Sequence, residues 1–213
     1  MEIEKLKKSL RLYAVTDRGC VGARNTFDCV RDALDGGVTI VQLREKKLSF
    51  EEFLDEAKEI SKLTAARKVP LIINDNVEIA KLCGAGVHVG QSDTSVREAR
   101  KKLGGGAIIG ASARCVEQAL EAQAQGADYL GVGAVFGTNT KNDAKTISVD
   151  ILKEICASVD IPVVAIGGVS ENNIHLLKDS GISGVAVVSA LFAKDDIKSA
   201  ARELRQKLEE IGI

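Results

Sequence analysis

The sequence predicts an α/β protein, a (β/α)8 barrel whose site lies at the C-terminal ends of its strands. Three observations predict it. First, eight short apolar runs recur: Leu12–Thr16, Val38–Arg44, Pro70–Asn74, Val87–Gly90, Ala107–Ser112, Tyr129–Gly133, Pro162–Gly167 and Gly184–Ser189. They are rich in Val and Ile and mostly unbroken rather than alternating, as strands covered on both faces read. Second, segments with helical apolar spacing lie between them. Third, no composition break or linker divides the chain, and eight strand–helix units in about 200–250 residues close most simply into a barrel. The rival is an open doubly wound sheet, which usually carries Gly-x-Gly-x-x-Gly after its first strand. Here the first run leads into Thr16-Asp17-Arg18-Gly19 instead.

Taken in order, residues 1–9 form a lead-in with no apolar stretch of signal-peptide type. Ser49 and Glu52 make a capping box before Phe53, opening a helix over Phe50–Ala66. Further helical spacing marks Val77–Leu82, Val96–Leu103, Val116–Ala124, Ile151–Val159, Ile174–Lys178 and Ile197–Leu208, with Ser170 as N-cap for the helix after the seventh run. The second, fourth, sixth and eighth runs each follow a glycine helix stop, at Gly36, Gly84, Gly126 and Gly181. The two prolines, Pro70 and Pro162, open the third and seventh runs, where a strand tolerates them. We therefore expect one domain over 1–213, with 134–146 as a candidate lid.

Composition narrows the function classes. A net charge of -1 and 3% aromatic residues give no basic excess and few rings for nucleic acid. The longest apolar run, Val185–Ala193, is too short to span a bilayer. Five scattered cysteines without a Cys-x-x-Cys read as reduced thiols of a cytoplasmic protein.

The strand ends carry the chemistry. Val41-Gln-Leu-Arg-Glu-Lys46 turns from apolar to polar. Side chains alternate along a strand, so Gln42, Arg44 and Lys46 share a face if the extended geometry lasts that far. Charges on such a face must reach water, acidic partners or a polyanionic ligand. Glu45 points away from that face, toward a neighbouring barrel residue. Asp75 and Asp93 follow the third and fourth runs. Each could cap the helix after it, but together beside the cationic face they suit a hard cation such as Mg2+. Gly167-Gly168 and Val188-Ser189-Ala190 open the segments after the seventh and eighth runs. They read either as tight turns or as the amide-built phosphate site this architecture places there. Two anion sites facing one another suggest transfer between two phosphorylated small molecules. The loop 134–146 is either a mobile surface loop or a cover for them. His88 reads as a buried strand histidine satisfied by a neighbour.

At this point the chain resembles the thiamine-phosphate synthase family. The motifs are Leu12-Tyr-Ala-Val-Thr-Asp-Arg18, Val41-Gln-Leu-Arg-Glu-Lys46, Pro70-Leu-Ile-Ile-Asn-Asp75, Gly86-Val-His-Val-Gly-Gln-Ser-Asp93, Ile109-Gly-Ala-Ser112, Tyr129-Leu-Gly-Val-Gly133, Phe136-Gly-Thr-Asn-Thr-Lys141, Val164-Ala-Ile-Gly-Gly168 and Val187-Val-Ser189. The resemblance implies a TIM barrel that joins an aminopyrimidine diphosphate to a thiazole phosphate with release of pyrophosphate. It implies that Gln42, Arg44, Lys46, Asn74, Ser112 and Lys141 hold the pyrimidine diphosphate, with Arg44, Lys46, Ser112 and Lys141 in catalytic contact. Asp75 and Asp93 would bind Mg2+, and Thr138, Thr140, Gly168, Val188 and Ser189 would hold the thiazole phosphate. The implied chemistry is dissociative, with pyrophosphate leaving before the thiazole nitrogen attacks. The chain departs from the pattern at Ala134 and Gly137, where Pro is frequent, at Asn76, where Arg is common, and at Ser148-Val149, where Gly-Leu is common. Two alternatives stay open on the same barrel: a thiazole tautomerase-like isomerase and a non-catalytic thiazole-phosphate-binding protein. A homodimer is left open as well.

Overall fold

The computed structural model of the chain describes residues 3–137 and 146–213. Helix α1 (Ile3–Leu10) precedes β1 (Leu12–Val15), then α2 (Arg18–Val21), α3 (Thr26–Asp35), β2 (Ile40–Leu43) and α4 (Phe50–Ala66). Next come β3 (Leu71–Asn74), α5 (Val77–Cys83), β4 (Gly86–Val89), α6 (Val96–Leu103), β5 (Ile109–Ala113), α7 (Val116–Ala124) and β6 (Tyr129–Gly133). The chain continues through α8 (Val149–Ser158), β7 (Val163–Ile166), a 3-10 turn (Ile174–Leu177), β8 (Gly184–Val187), α9 (Ser189–Phe192) and α10 (Ile197–Glu210). The strands close in sequence order into a parallel barrel, β8 returning to β1 through Leu12↔Val185 and Ala14↔Val187. No helix among the described residues is long and apolar enough to cross a membrane.

Strand parity divides the core in two. Outward residues such as Leu12, Val41, Ile73, Val87 and Ala165 meet the inner faces of the helices in one continuous apolar layer. Inward residues Tyr13, Val15, Ile40, Ile72, Tyr129, Val164 and Ala186 fill the barrel. This is why the strands read as unbroken apolar runs: both parities are buried, by different partners. The lead-in is a helix rather than a tail. Amphipathic α1 drives Leu6 and Leu10 into the interior cluster and so stops the end of the barrel opposite the strand tips.

The capping box forms as the sequence predicts, Ser49 N donating to Glu52 Oε2 at 2.9 Å and Glu52 N to Ser49 Oγ at 3.3 Å. Two expectations need correction. The second strand starts at Ile40, because Val38 N still donates to Ala33 O in the turn after α3. Ser170 caps no α-helix. Gly167 and Gly168 enter a turn instead, held by Asn173, which donates to Gly168 O at 2.8 Å and accepts from Ser170 N at 2.9 Å.

Arg24 bridges the barrel seam. Its guanidinium donates to Val21 O at 3.0 Å, Cys20 O at 3.0 Å and Lys194 O at 2.7 Å, and also to Phe192 O. The first strand–helix loop is thereby fastened to the last.

Candidate active site

A cavity of about 410 Å3 opens at the C-terminal mouth, lined by Gln42, Arg44, Asn74, His88, Asp93, Ser112, Gly168, Val188 and Ser189, among others. It is where a (β/α)8 barrel keeps its chemistry.

On the side of β1 to β4, the cations meet acidic partners. The extended geometry of β2 ends at Leu43, yet Arg44 still turns into the cavity and pairs with Asp17, Nη1 to Oδ2 at 2.5 Å. Asp17 is itself fixed as the N-cap of α2, accepting from Gly19 N and Cys20 N. Lys46 comes from the loop rather than from the strand, and its ammonium lies 2.5 Å from Asp75 Oδ2. The same oxygen accepts from Asn74 Nδ2 at 2.6 Å. Glu45 faces away, as its parity requires, and holds Arg18 Nε at 2.5 Å. It also accepts from the Lys46 and Lys47 amides at 2.7 Å, which pins the loop that delivers Lys46.

The capping alternative for the two aspartates does not apply. Asn76 caps α5 and Ser95 caps α6. Asp75 instead sits at φ 61, in the left-handed region that Asp adopts more readily than most side chains. Asp93 accepts from Gly90 N at 2.7 Å. Burial raises the Asp93 carboxyl above its ordinary range, and hydrogen bonding to the Asp75 carboxyl raises it further. The two carboxyls are therefore neighbours, and the charge on Asp93 is the one disfavoured there.

The cavity floor is a polar chain. Gln42 Nε2 lies 2.7 Å from Tyr13 Oη, Tyr13 Oη 2.7 Å from Tyr129 Oη, and Tyr129 Oη 3.1 Å from His88 Nδ1. His88 Nε2 is 3.0 Å from Ser112 Oγ. Glycines make room for these rings. A Cβ at Gly110 would meet Tyr129 Cζ at 2.1 Å, and one at Gly131 would meet His88 Cε1 at 2.9 Å. His88 is satisfied by neighbours, as the sequence reading has it, but it is half-buried and lines the cavity rather than vanishing into the sheet. Tyr13 and Tyr129 escape a reading that looks for charge. The signal that could find them is glycine inside strands, which marks a close approach.

Across the mouth, β7 and β8 stand opposite β3 and β4 in the ring. Gly167 (φ 95) and Gly168 (φ 67) turn beneath residues 134–137, and Phe136 N donates to Gly167 O at 2.9 Å. A Cβ at Gly168 would lie 2.4 Å from Gly137 O, so the turn admits glycine alone. The helix expected after Val188 is α9, a single turn that begins at Ser189. Of the candidate lid, residues 134–137 and 146 belong to the described chain, and Val135 N donates to Ile166 O at 3.0 Å. Thr138, Thr140 and Lys141 lie outside the described residues.

A closed (β/α)8 barrel with cations and paired carboxylates on one side of its mouth, and glycine turns on the other, defines a barrel enzyme built for phosphorylated ligands. The family model described as thiamine monophosphate synthase matches residues 12–191. The thiamine-phosphate synthase of Clostridium tetani is 49% identical over 91% of this chain and 93% of its own. That of Clostridioides difficile is 47% identical over 96% and 98%. Among solved structures, the thiamine phosphate pyrophosphorylase of Pyrococcus furiosus superposes with a TM-score of 0.90 at 38% identity, covering 98% of this chain and 100% of that one. The chain belongs to the thiamine monophosphate synthase family, a family of transferases.

Proposed function

We propose that the chain joins 4-amino-2-methyl-5-(diphosphooxymethyl)pyrimidine to 4-methyl-5-(2-phosphoethyl)thiazole, or to a carboxythiazole phosphate form, giving thiamine phosphate and pyrophosphate. The observation that carries this reading is the cluster of Lys46, Asn74, Asp75 and Asp93. It adjoins a cavity that Arg44 lines on one side and Gly168 and Ser189 on the other. An isomerase or a thiazole-phosphate carrier on this barrel would have no use for that cluster.

Asp75 and Asp93 fit a hard divalent cation. They are carboxylates in contact, neither is used as a helix cap, and the charge that burial and Asp75 disfavour on Asp93 would be favoured beside a positive ion. Mg2+ held there would offset the negative charge that grows on the departing diphosphate. The protein's own groups do the rest. Arg44 and Lys46 bring positive charge to the diphosphate, and Ser112 adds a hydroxyl donor. Gln42, on the floor, meets the pyrimidine ring. The backbone amides at Gly168 and Ser189, with Val188 beside them, receive the thiazole phosphate, and this holds the thiazole nitrogen in line with the pyrimidine methylene. Thr138, Thr140 and Lys141 complete the two sites on the strength of the family resemblance.

No nucleophilic side chain is required. The C–O bond to the diphosphate breaks heterolytically, its electron pair leaves with pyrophosphate, and the thiazole nitrogen supplies the pair for the new C–N bond. Charge stabilisation at the leaving group and positioning of the two substrates supply the acceleration. The five cysteines are unpaired, in keeping with a cytoplasmic setting. The test is pyrophosphate release with both substrates, with and without Mg2+. Release that needs both substrates and the ion is the expected result. Release with neither dependence contradicts the reading.

A further inference from the structure

The polar chain on the cavity floor has a direction. Burial pushes the Tyr13 phenol well above its ordinary range, despite hydrogen bonds to Tyr129 and Gln42 that pull it down. Burial raises Tyr129 as well, and its contact with Tyr13 raises it further. Both phenols therefore keep their protons, and each has one hydrogen to give. Gln42 Nε2 donates to Tyr13 Oη, so the Tyr13 hydrogen goes to Tyr129 Oη. The Tyr129 hydrogen then goes to His88 Nδ1, which must be the bare nitrogen of the ring. His88 Nε2–H donates to Ser112 Oγ, and the Ser112 hydrogen is left for the cavity. At the other end, Gln42 Oε1 accepts no hydrogen bond among the described residues, and it is not a buried orphan. The cavity sees it as an acceptor.

With His88 neutral, the chain has one other self-consistent state, with every hydrogen reversed and the Gln42 amide turned over; an imidazolium would donate from both nitrogens and uncouple the two ends. Then Ser112 presents only an acceptor and Gln42 presents its amino group. The two ends are thus linked. When Ser112 must donate, Gln42 must accept.

We infer that Tyr13, Tyr129 and His88 are positioning residues that couple Ser112 to Gln42, so that an anion held by the Ser112 hydroxyl obliges the floor to select a ring carrying an exocyclic amino donor at C4. The inference rests on the proposed reaction for the identity of the ring and of the anion. An aminopyrimidine diphosphate satisfies both ends of the chain. Its 4-oxo counterpart sets a carbonyl oxygen against the Gln42 carbonyl while its diphosphate still holds Ser112 in the donating state. A site built to pair a substrate N–H rejects the analogue lacking it by about 10^4 to 10^5.

Two measurements test the coupling. With 15N-labelled histidine, and with the exposed His175 replaced by His175→Gln to leave one signal, His88 is expected to be the neutral Nε2–H tautomer in saturating inorganic pyrophosphate. The Nδ1–H tautomer or the imidazolium overturns the inference. The second measurement compares kcat/KM for the aminopyrimidine diphosphate and its 4-oxo counterpart in the wild type, Tyr13→Phe and Tyr129→Phe. The amino-to-oxo ratio is expected to fall at least about tenfold in each variant, with KM for the thiazole phosphate unchanged. Parallel losses on both pyrimidines at a constant ratio would mean that the tyrosines only fill space, and would overturn the coupling. A wild type that uses neither pyrimidine removes the proposed reaction, while the histidine signal still judges the chain. The histidine measurement needs no tyrosine variant to fold.

Discussion

Arg44→Ala tests the two-site layout most sharply. Arg44 spends Nη1 on Asp17 at 2.5 Å, and both side chains are only 18% exposed, so solvent screens this pair weakly. Arg44 also lines the cavity. A hydrogen bond to a charged group contributes about 1.5–3 kcal/mol, so losing one to the diphosphate corresponds to roughly 10–150-fold in kcat/KM. The fold should persist, because Asp17 keeps its contacts to Gly19 N and Cys20 N and its charge is not stranded. A stability loss of about 1 kcal/mol would lower Tm by about 2–4 °C in a chain of this size. Pyrophosphate release is followed while each substrate is varied at saturation of the other. The expected result is a loss confined to the pyrimidine diphosphate, with KM for the thiazole phosphate within about threefold of wild type. Equal losses on both substrates would refute separate anion sites on opposite sides of the mouth.

Asp93→Ala is expected to remove Mg2+-dependent turnover while leaving the circular dichroism spectrum and Tm close to wild type, since the side chain caps no helix; an unchanged Mg2+ requirement contradicts the pairing with Asp75. Glu45→Gln is expected to cost about 2 kcal/mol at neutral pH. That is less than the 3–5 kcal/mol of a fully buried pair, because Arg18 keeps Glu56 as a partner. Burial opposes the Glu45 charge, but the Lys47 and Lys46 amides and Arg18 outweigh it and hold the carboxyl below its usual range. Its contribution is therefore full above the unfolded value of about 4.3 and is lost as pH falls through the lower folded value. Urea denaturation of both proteins should show the gap closing below about pH 4, and a gap independent of pH would contradict the assignment. Leu10→Ala, at a fully buried side chain of α1 in the barrel interior, is expected to cost about 2–5 kcal/mol; a near-neutral result would mean that α1 is not part of the barrel's core.

Much of this molecule is legible in its residues. The apolar runs show the strands because both parities are buried, and the Ser49–Glu52 box shows a helix start because it is a purely local device. What escapes is set by contacts far apart in sequence. Nothing local to residues 3–10 says that Leu6 and Leu10 enter the interior alongside Tyr129 and Val164. Ser170 looks like an N-cap, but the requirement for Gly168 to pass under Gly137 leaves a turn there instead. At the site, charge is easy to read and neutral polarity is not. Asp75 and Asp93 stand out as acids, whereas Tyr13 and Tyr129 look like ordinary apolar filler until the ring closes and puts two residues 116 positions apart within 2.7 Å.

The seam contact of Arg24 bears on how the two substrates of the proposed reaction would meet. The carbonyls it gathers on one side belong to α2, whose cap Asp17 anchors Arg44; those on the other belong to the end of α9 and just beyond, the turn that Ser189 begins. A displacement of either turn must break into a guanidinium grip that spans 168 and 170 positions of sequence. In the proposed reaction, the spacing across which the bond has to form would thus be gauged by a side chain that needs to touch neither reactant.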